Sequence, residues 1–150
     1  MPSETKPRIP LSADEVGRLI DNAFPGVNAG KRTTVIESVA DRSARVRLLL
    51  DERNIRPGGT LSGPAMFMLA DFTIYVALIA TLGPAAIAAV TSNLNINFLM
   101  RPEPADLIGE ARIIRLGRRL AYAEVSISAD GGSDLLAHAT SNYVLPTARR

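Results

Sequence analysis

Cysteine is absent from this sequence of 150 residues, and histidine occurs only once, at position 138. Without cysteine the chain cannot form disulfides, zinc–thiolate sites or a cysteine nucleophile, and a single histidine argues against a metal site. The sequence also lacks an excess of one charge, since 17 basic and 15 acidic residues give a net charge of +2. Because the basic residues are scattered along the chain, we expect no nucleic-acid partner.

The N-terminal residues 1–10 contain three prolines and no apolar stretch. We therefore expect a loose tail rather than a signal peptide, and a cytoplasmic protein, which the absence of cysteine fits. Residues 11–23 predict a short helix, with Ser12 and Glu15 at the spacing of a capping box. The length and a hydrophobic content of 47% predict one globular domain over residues 1–150.

Residues 31–50 change to a pattern with a period of two, which is typical of strands with one solvated face. We expect strands over 33–36 and 44–48, with a turn at 41–43. Residues 54–63 contain a proline and three glycines and predict a loop.

A long apolar run covers residues 64–82 and contains one charged residue, Asp71. By length it could span a bilayer, but a carboxylate inside a membrane is costly, and we predict a buried helix instead. Pro64 fits the first turn, Ser62 or Gly63 fits the N-cap, and Gly83-Pro84 ends the helix.

The last part of the chain predicts four more strands, over 87–99, 107–116, 119–129 and 134–145. Six strands and one helix that is apolar on every side indicate an α+β architecture, with an antiparallel sheet wrapped around the helix. One sheet covers only part of such a helix, and its edge strands stay open. Burial therefore predicts a homo-oligomer, either a dimer or a tetramer.

Asp71 is the first candidate for chemistry, because it is the only charged residue between Arg56 and Arg101. A buried carboxylate is costly unless chemistry or a polar network uses it. The structural alternative is a carboxylate that caps loop amides. The loop 58–63 before the helix could offer free backbone N–H groups as an oxyanion hole.

Other polar residues carry weaker signals. Thr91, Asn93, Asn95 and Asn97 alternate along the strand over 87–99 and predict one polar face. For most of the polar residues in 91–97 a solvated face is the favoured interpretation, and Thr91 is the exception. We expect His138 to be half-buried and to have a structural role. The alternative is a Ser-His-Asp triad, which requires His138 to contact both a serine and Asp71.

Three segments together resemble a known family. They are RPGGTLSGPAMFMLADFTIYVAL (56–78), VTSNLNINFLMRP (90–102) and GRRLAYAEVSI (117–127). They are similar to hotdog-fold thioesterases of the PaaI type, which belong to the phenylacetate-pathway group. The resemblance covers roughly residues 30–145 by order of elements. It implies a hotdog fold, with a curved antiparallel β-sheet wrapped around one long central α-helix.

The resemblance also implies roles for single residues. Asp71 matches the catalytic carboxylate, Gly63 matches the glycine whose N–H polarises the thioester carbonyl, and Thr91 matches the residue that orients water. Gly59 and Asn93 lie in the matching loop and strand, and Arg118 and Arg119 lie where the family often places coenzyme A. These folds form the site between subunits, with the carboxylate from one chain and the loop from its neighbour.

This sequence departs from the family pattern at three positions. Ser62 stands where the family usually has histidine, Pro64 replaces a glycine, and Arg56 stands where an asparagine often lies. Ser62 could help to position the substrate carbonyl, with a shorter reach than histidine.

The residues and the resemblance together favour hydrolysis of an acyl-CoA thioester, with no metal or redox cofactor. The alternative is a non-catalytic module that binds acyl-CoA or fatty acid, and Ser62 in place of histidine motivates it. A hydratase or dehydratase ranks last, because the only histidine is remote from the helix in sequence.

Overall fold

The computed structural model of the chain describes residues 9–26 and 32–147. Most of the predicted tail and Lys31 therefore lie outside the described residues. The regular elements in chain order are α1 (Ala13–Ala23), β1 (Thr34–Ala40), β2 (Ser43–Leu48), α2 (Gly63–Leu82), β3 (Val90–Phe98), β4 (Leu107–Leu116), β5 (Leu120–Ala129) and β6 (Ala137–Val144), and short 3₁₀ turns lie at Glu52–Asn54 and Pro84–Ala88.

Helix α1 begins with the capping box that the sequence predicts. The Ser12 hydroxyl accepts from the Glu15 backbone N–H at 3.2 Å, and the Ser12 N–H donates to the Glu15 carboxylate at 3.2 Å. Two of the N–H groups that a helix start leaves without partners are thereby satisfied. The Leu11 N–H donates to the Ala80 carbonyl of α2 at 3.0 Å, so the start of α1 is fixed to the end of the central helix.

The six strands form one antiparallel sheet in the order β1-β2-β4-β5-β6-β3. This confirms the predicted α+β architecture and the curved sheet around one long helix. Strand β3 begins at Val90 rather than at residue 87, because a 3₁₀ turn follows Pro84, whose fixed φ angle suits the first turn of a helix. The last strand begins at Ala137 rather than at residue 134.

Helix α2 lies across the concave face of the sheet and forms the core. It is long and apolar enough to cross a membrane by length and composition alone, but 67% of its apolar window is buried within the structure. Its second half is enclosed, since every residue from Val76 to Thr81 is buried. The first half leaves Phe67 and Met68 exposed at 43% and 37%. The expectation that the helix is covered on every side therefore applies only to its second half within the described chain.

Gly109 of β4 allows α2 to approach the sheet. A Cβ atom at this position would lie 2.7 Å from the Thr73 hydroxyl and 3.2 Å from Cγ of Leu69. Contacts this short require a neighbour to move, because protein interiors are close-packed. The missing side chain thus sets the distance between the helix that carries Asp71 and the sheet that supports it.

Candidate active site

Asp71 lies in the middle of α2 and is partly buried. Its Oδ1 atom accepts two hydrogen bonds, from the Thr91 hydroxyl at 2.7 Å and from the Tyr143 hydroxyl at 2.5 Å. Within residues 9–26 and 32–147, no hydrogen bond reaches its second oxygen, Oδ2. Two donors thus orient the carboxylate, while one oxygen stays available to a water molecule or a substrate.

Tyr143 is a member of this cluster that the sequence analysis missed. Its hydroxyl also donates to the Asp71 backbone carbonyl at 2.9 Å, and its ring stacks on Tyr75 with 6.4 Å between centroids. Burial, together with the charge of the Asp71 carboxylate, raises the pKa of Tyr143 far above its ordinary value. The hydroxyl therefore stays protonated and acts as a hydrogen-bond donor.

A β-bulge in β3 turns Thr91 towards Asp71. Thr91 pairs with Tyr143, but Asn93 pairs with Asn142, so the register shifts between Thr91 and Asn93. Because neighbouring residues of β6 point to opposite faces, Thr91 faces α2 and Asn93 faces away from it. The prediction that Thr91 and Asn93 share one polar face is wrong, since the sequence does not reveal the extra residue of a bulge. The structure does not bring Asn93 together with Asp71.

The start of α2 carries the other predicted catalytic groups. Ser62 is the N-cap, and its hydroxyl oxygen accepts from the Ala65 N–H at 3.2 Å. Gly63 is the first helical residue, so its N–H lacks a partner within the helix. Gly63 precedes Asp71 by eight residues, about 12 Å along the helix axis. A carbonyl held at Asp71 therefore does not reach the Gly63 N–H of the same chain.

The loop before α2 is a tight turn. Gly58 and Gly59 have φ angles of 106° and 83°, which favour glycine because a side chain would clash there. The Arg56 N–H donates to the Thr60 carbonyl at 2.9 Å, and the Gly59 N–H donates to the Arg56 carbonyl at 3.1 Å. The Arg56 side chain is exposed beside this loop, at the Gly63 end of the helix.

Arg118 and Arg119 are exposed in the turn between β4 and β5. The Leu145 N–H donates to the Arg119 carbonyl at 2.7 Å, and Leu120 pairs with Val144, which in turn pairs with Val90. The two arginines therefore lie at the end of the sheet where β3 begins with Val90 and Thr91. The structure places them at the Asp71 end of the fold, not beside the glycine loop.

His138 is half-buried on the face of the sheet opposite α2, as its pairing with Asn97 indicates. Its Nε2 lies 3.1 Å from a carboxylate oxygen of Glu124. Hydrogen bonds from Arg112, which has the larger effect, and from His138 lower the pKa of Glu124. These contacts agree with the predicted structural role of His138. In the part of the chain that the structure describes, no group of three or more His, Cys, Asp or Glu side chains could hold a metal ion.

Comparisons with known proteins identify the family of this chain. The family model described as the thioesterase superfamily matches residues 58–136, more than half of the chain. A protein of Saccharolobus solfataricus, named as a presumed esterase, is 32% identical over 139 residues, which are 90% of this chain and 86% of the relative.

Solved structures give the same result. A presumed thioesterase from a Silicibacter species superposes with a TM-score of 0.81 at 32% identity, over 95% of this chain and 96% of its own. A mutant of the phenylacetic acid degradation protein PaaI from Thermus thermophilus superposes with a TM-score of 0.63 over 75% of this chain and 93% of its own, and at 22% identity it shows the fold alone. The family model and the two relatives at 32% identity show that this chain belongs to the thioesterase superfamily, a family of thioester hydrolases, and has the hotdog fold.

Proposed function

We propose that this protein hydrolyses acyl-CoA thioesters, with Asp71 as the catalytic carboxylate. The observation that carries the proposal is the Asp71 side chain, which two hydroxyl donors orient through one oxygen while the other oxygen stays open. A general base must hold its basic atom within hydrogen-bond reach of the proton that it removes. Oδ2 meets that condition for a water molecule placed beside Thr91.

The proposed reaction balances without a metal or redox cofactor. Oδ2 of Asp71 takes a proton from water as the water oxygen bonds to the thioester carbon, and the carbonyl oxygen becomes an oxyanion. Collapse of this intermediate breaks the carbon–sulfur bond, and the proton passes from Asp71 to the departing thiolate. The products are a carboxylic acid and free coenzyme A. Direct attack by Asp71, followed by hydrolysis of the anhydride, gives the same products.

The oxyanion donor in this scheme comes from a second copy of the chain. Strand β3 is an open edge of the sheet. Four apolar residues in this strand or directly after it are between 49% and 59% accessible: Val90, Phe98, Leu99 and Met100. If two β3 strands pair antiparallel about a twofold axis, the Phe98 end of one chain lies beside the Thr91 end of the other.

Gly63 lies beside the Phe98 end of β3 in the same chain. A Cβ atom at Gly63 would lie 3.5 Å from the Phe98 ring, so the helix start packs on the end of β3. Antiparallel pairing would therefore bring the Gly63 N–H of one chain towards Asp71 of its partner. We propose a homodimer, or a tetramer of two such dimers, with each site shared between two chains.

The arginines suit the phosphates of coenzyme A. Arg118 and Arg119 are exposed at the Asp71 end of the fold, and Arg56 would arrive from the second chain with the glycine loop. Arginine binds phosphate through several N–H donors at once. A cytoplasmic location is part of the proposal and fits the absence of cysteine.

One observation favours a binding module as the second candidate. The Ser62 oxygen, which replaces the family histidine, is engaged with the Ala65 N–H as a helix cap. A serine used in this way contributes less to the substrate carbonyl than a free histidine would. Tight binding of acyl-CoA without turnover would fit this second candidate.

Release of free thiol from a panel of acyl-CoAs tests the proposal. We expect Asp71→Asn to lower kcat/KM by about 100-fold or more, the usual contribution of a general base. The control is Asp134→Asn, which neutralises an exposed carboxylate in the loop between β5 and β6 and should leave the rate unchanged. Equal rates for wild type and Asp71→Asn would remove Asp71 from the mechanism.

A further inference from the structure

A cavity of about 630 Å³ lies between α1, β1 and the exposed side of α2. Its volume falls in the range of about 300–1,000 Å³ that is usual for small-molecule sites. The apolar residues that face it are Gly17 and Ile20 of α1, Ile36 of β1, and Met68 and Phe72 of α2. None of these residues belongs to the cluster around Asp71.

The cavity begins beside the catalytic carboxylate. Met68 precedes Asp71 by three residues, and side chains three apart are neighbours on a helix surface. Phe72 follows Asp71 directly. A group that leaves a carbonyl at Asp71 therefore meets Met68 and Phe72 first, and both residues line the cavity.

Five charged residues also line the cavity, Asp14, Arg18, Asp21, Arg32 and Arg53, and two of the arginines are paired. Arg32 forms an ion pair with Asp21, and the Arg53 Nε donates to the Asp51 carboxylate at 2.8 Å. Because carboxylates of the chain partly neutralise these arginines, they are poorly suited as the main anchor of an anionic ligand. The apolar walls are the larger contribution that the cavity can offer, since apolar burial is favourable in proportion to area.

We propose that this cavity binds the apolar acyl group of the thioester substrate, and that the protein therefore prefers medium-chain over short acyl groups. The proposal rests on the proposed function for the position of the thioester carbonyl. A short acyl group such as acetyl would end at Met68 and leave the cavity to water. Each further methylene that enters should improve binding by about fourfold.

Gly17 offers a way to fill the cavity. A Cβ atom at this position would meet no atom within 4 Å, and the position lies in mid-helix, where larger residues suit the backbone better than glycine. Gly17→Leu should place its side chain in the cavity and keep the fold. Ala23→Leu, at the exposed end of the same helix, adds a leucine outside the cavity and is the matched control. Thr34→Phe is the second variant, because Thr34 also lines the cavity and pairs with the buried Leu48, which places its side chain on the α2 side of β1.

Calorimetric binding of two non-hydrolysable thioethers, 2-oxopropyl-CoA and 2-oxoundecyl-CoA, tests the proposal without any need for turnover. The long probe should bind wild type and Ala23→Leu at least about 100-fold more tightly than the short probe, and Gly17→Leu and Thr34→Phe should reduce this ratio below about tenfold. An unchanged ratio in both folded variants would overturn the acyl site. If no acyl-CoA is hydrolysed but the ratio behaves as expected, the proposed hydrolysis fails and the acyl site stands.

Discussion

At the residue scale, the candidate site is one carboxylate with two hydroxyl donors from different strands. Asp71 could be predicted from the sequence because a lone charge in an apolar helix is conspicuous, and the family resemblance pointed to Thr91. Tyr143 could not be predicted, because its contact depends on the pairing of β3 with β6. In the sequence Tyr143 is one more aromatic residue on an alternating strand.

The two hydroxyl donors should differ in importance. Tyr143→Phe keeps the ring stacked on Tyr75 and removes one hydrogen bond to the Asp71 carboxylate from a buried position. We expect kcat to fall by about tenfold or more, since a hydrogen bond to a charged group contributes about 1.5–3 kcal/mol. Thr91→Val should have a smaller effect, because Thr91 contacts Asp71 only at its carboxylate, whereas Tyr143 also contacts the Asp71 backbone carbonyl. Steady-state kinetics with one acyl-CoA measures both changes, with KM little altered.

Ser141→Ala is the control for these two variants. The Ser141 hydroxyl is also buried on the inner face of β6, but it donates to the Asn93 carbonyl at 2.7 Å and not to Asp71. This change should lower stability by about 1 kcal/mol and leave kcat unchanged. If Tyr143→Phe and Ser141→Ala affect kcat equally, the Tyr143 hydroxyl acts only through stability.

At the element scale, most helices and strands could be predicted because their signals are local. The capping box at Ser12 and the glycine-proline pair after α2 are examples, and the structure has both. The bulge at Thr91 could not be predicted, because an extra residue in one strand is visible only against its partner. That one residue decides whether Asn93 faces Asp71 or the opposite side of the sheet.

Two glycine-to-alanine substitutions should change the free energy of unfolding in opposite directions, because the space around Gly109 and Gly17 differs. Gly109→Ala would put a Cβ atom 2.7 Å from the Thr73 hydroxyl, and we expect a loss of about 1–3 kcal/mol in the free energy of unfolding through overpacking. Gly17→Ala meets open space in a helix, and should gain about 0.5–1 kcal/mol. Denaturant unfolding at one fixed protein concentration measures both. A gain in stability from Gly109→Ala would show that the sheet yields and that Gly109 does not set the distance to α2.

At the scale of the whole molecule, the order of strands in the sheet determines which strands are open to a second chain. Strands β1 and β3 form the two edges, although nothing in their sequences distinguishes an edge from a centre. The sequence could predict that a partner covers the fold, because one sheet cannot enclose an apolar helix. It could not identify which edge meets the partner, since that depends on the pairing of distant strands.

The proposed sharing of the site between two chains has a consequence that mixing of variants can test. Asp71→Asn removes the carboxylate, and Gly63→Pro removes the N–H at a helix position where proline is accepted. Each variant alone should be inactive. In a mixed dimer, one of the two sites combines the intact Asp71 of one chain with the intact Gly63 of the other. Random assembly of equal amounts should therefore restore about a quarter of wild-type activity, because half of the dimers are mixed and each has one intact site.

The same experiment also tests the alternative of a site formed within one chain. Such a site would combine Asp71 and Gly63 of the same chain, although about 12 Å along the helix separates them. A site formed within one chain would leave every subunit of the mixture with a defect, and no activity would return. Co-expression with two affinity tags isolates the mixed dimer, and circular dichroism of Gly63→Pro checks that the fold survives. Thiol release by the mixed dimer at about half the wild-type rate would support a shared site, and a rate no higher than that of the single variants would contradict it.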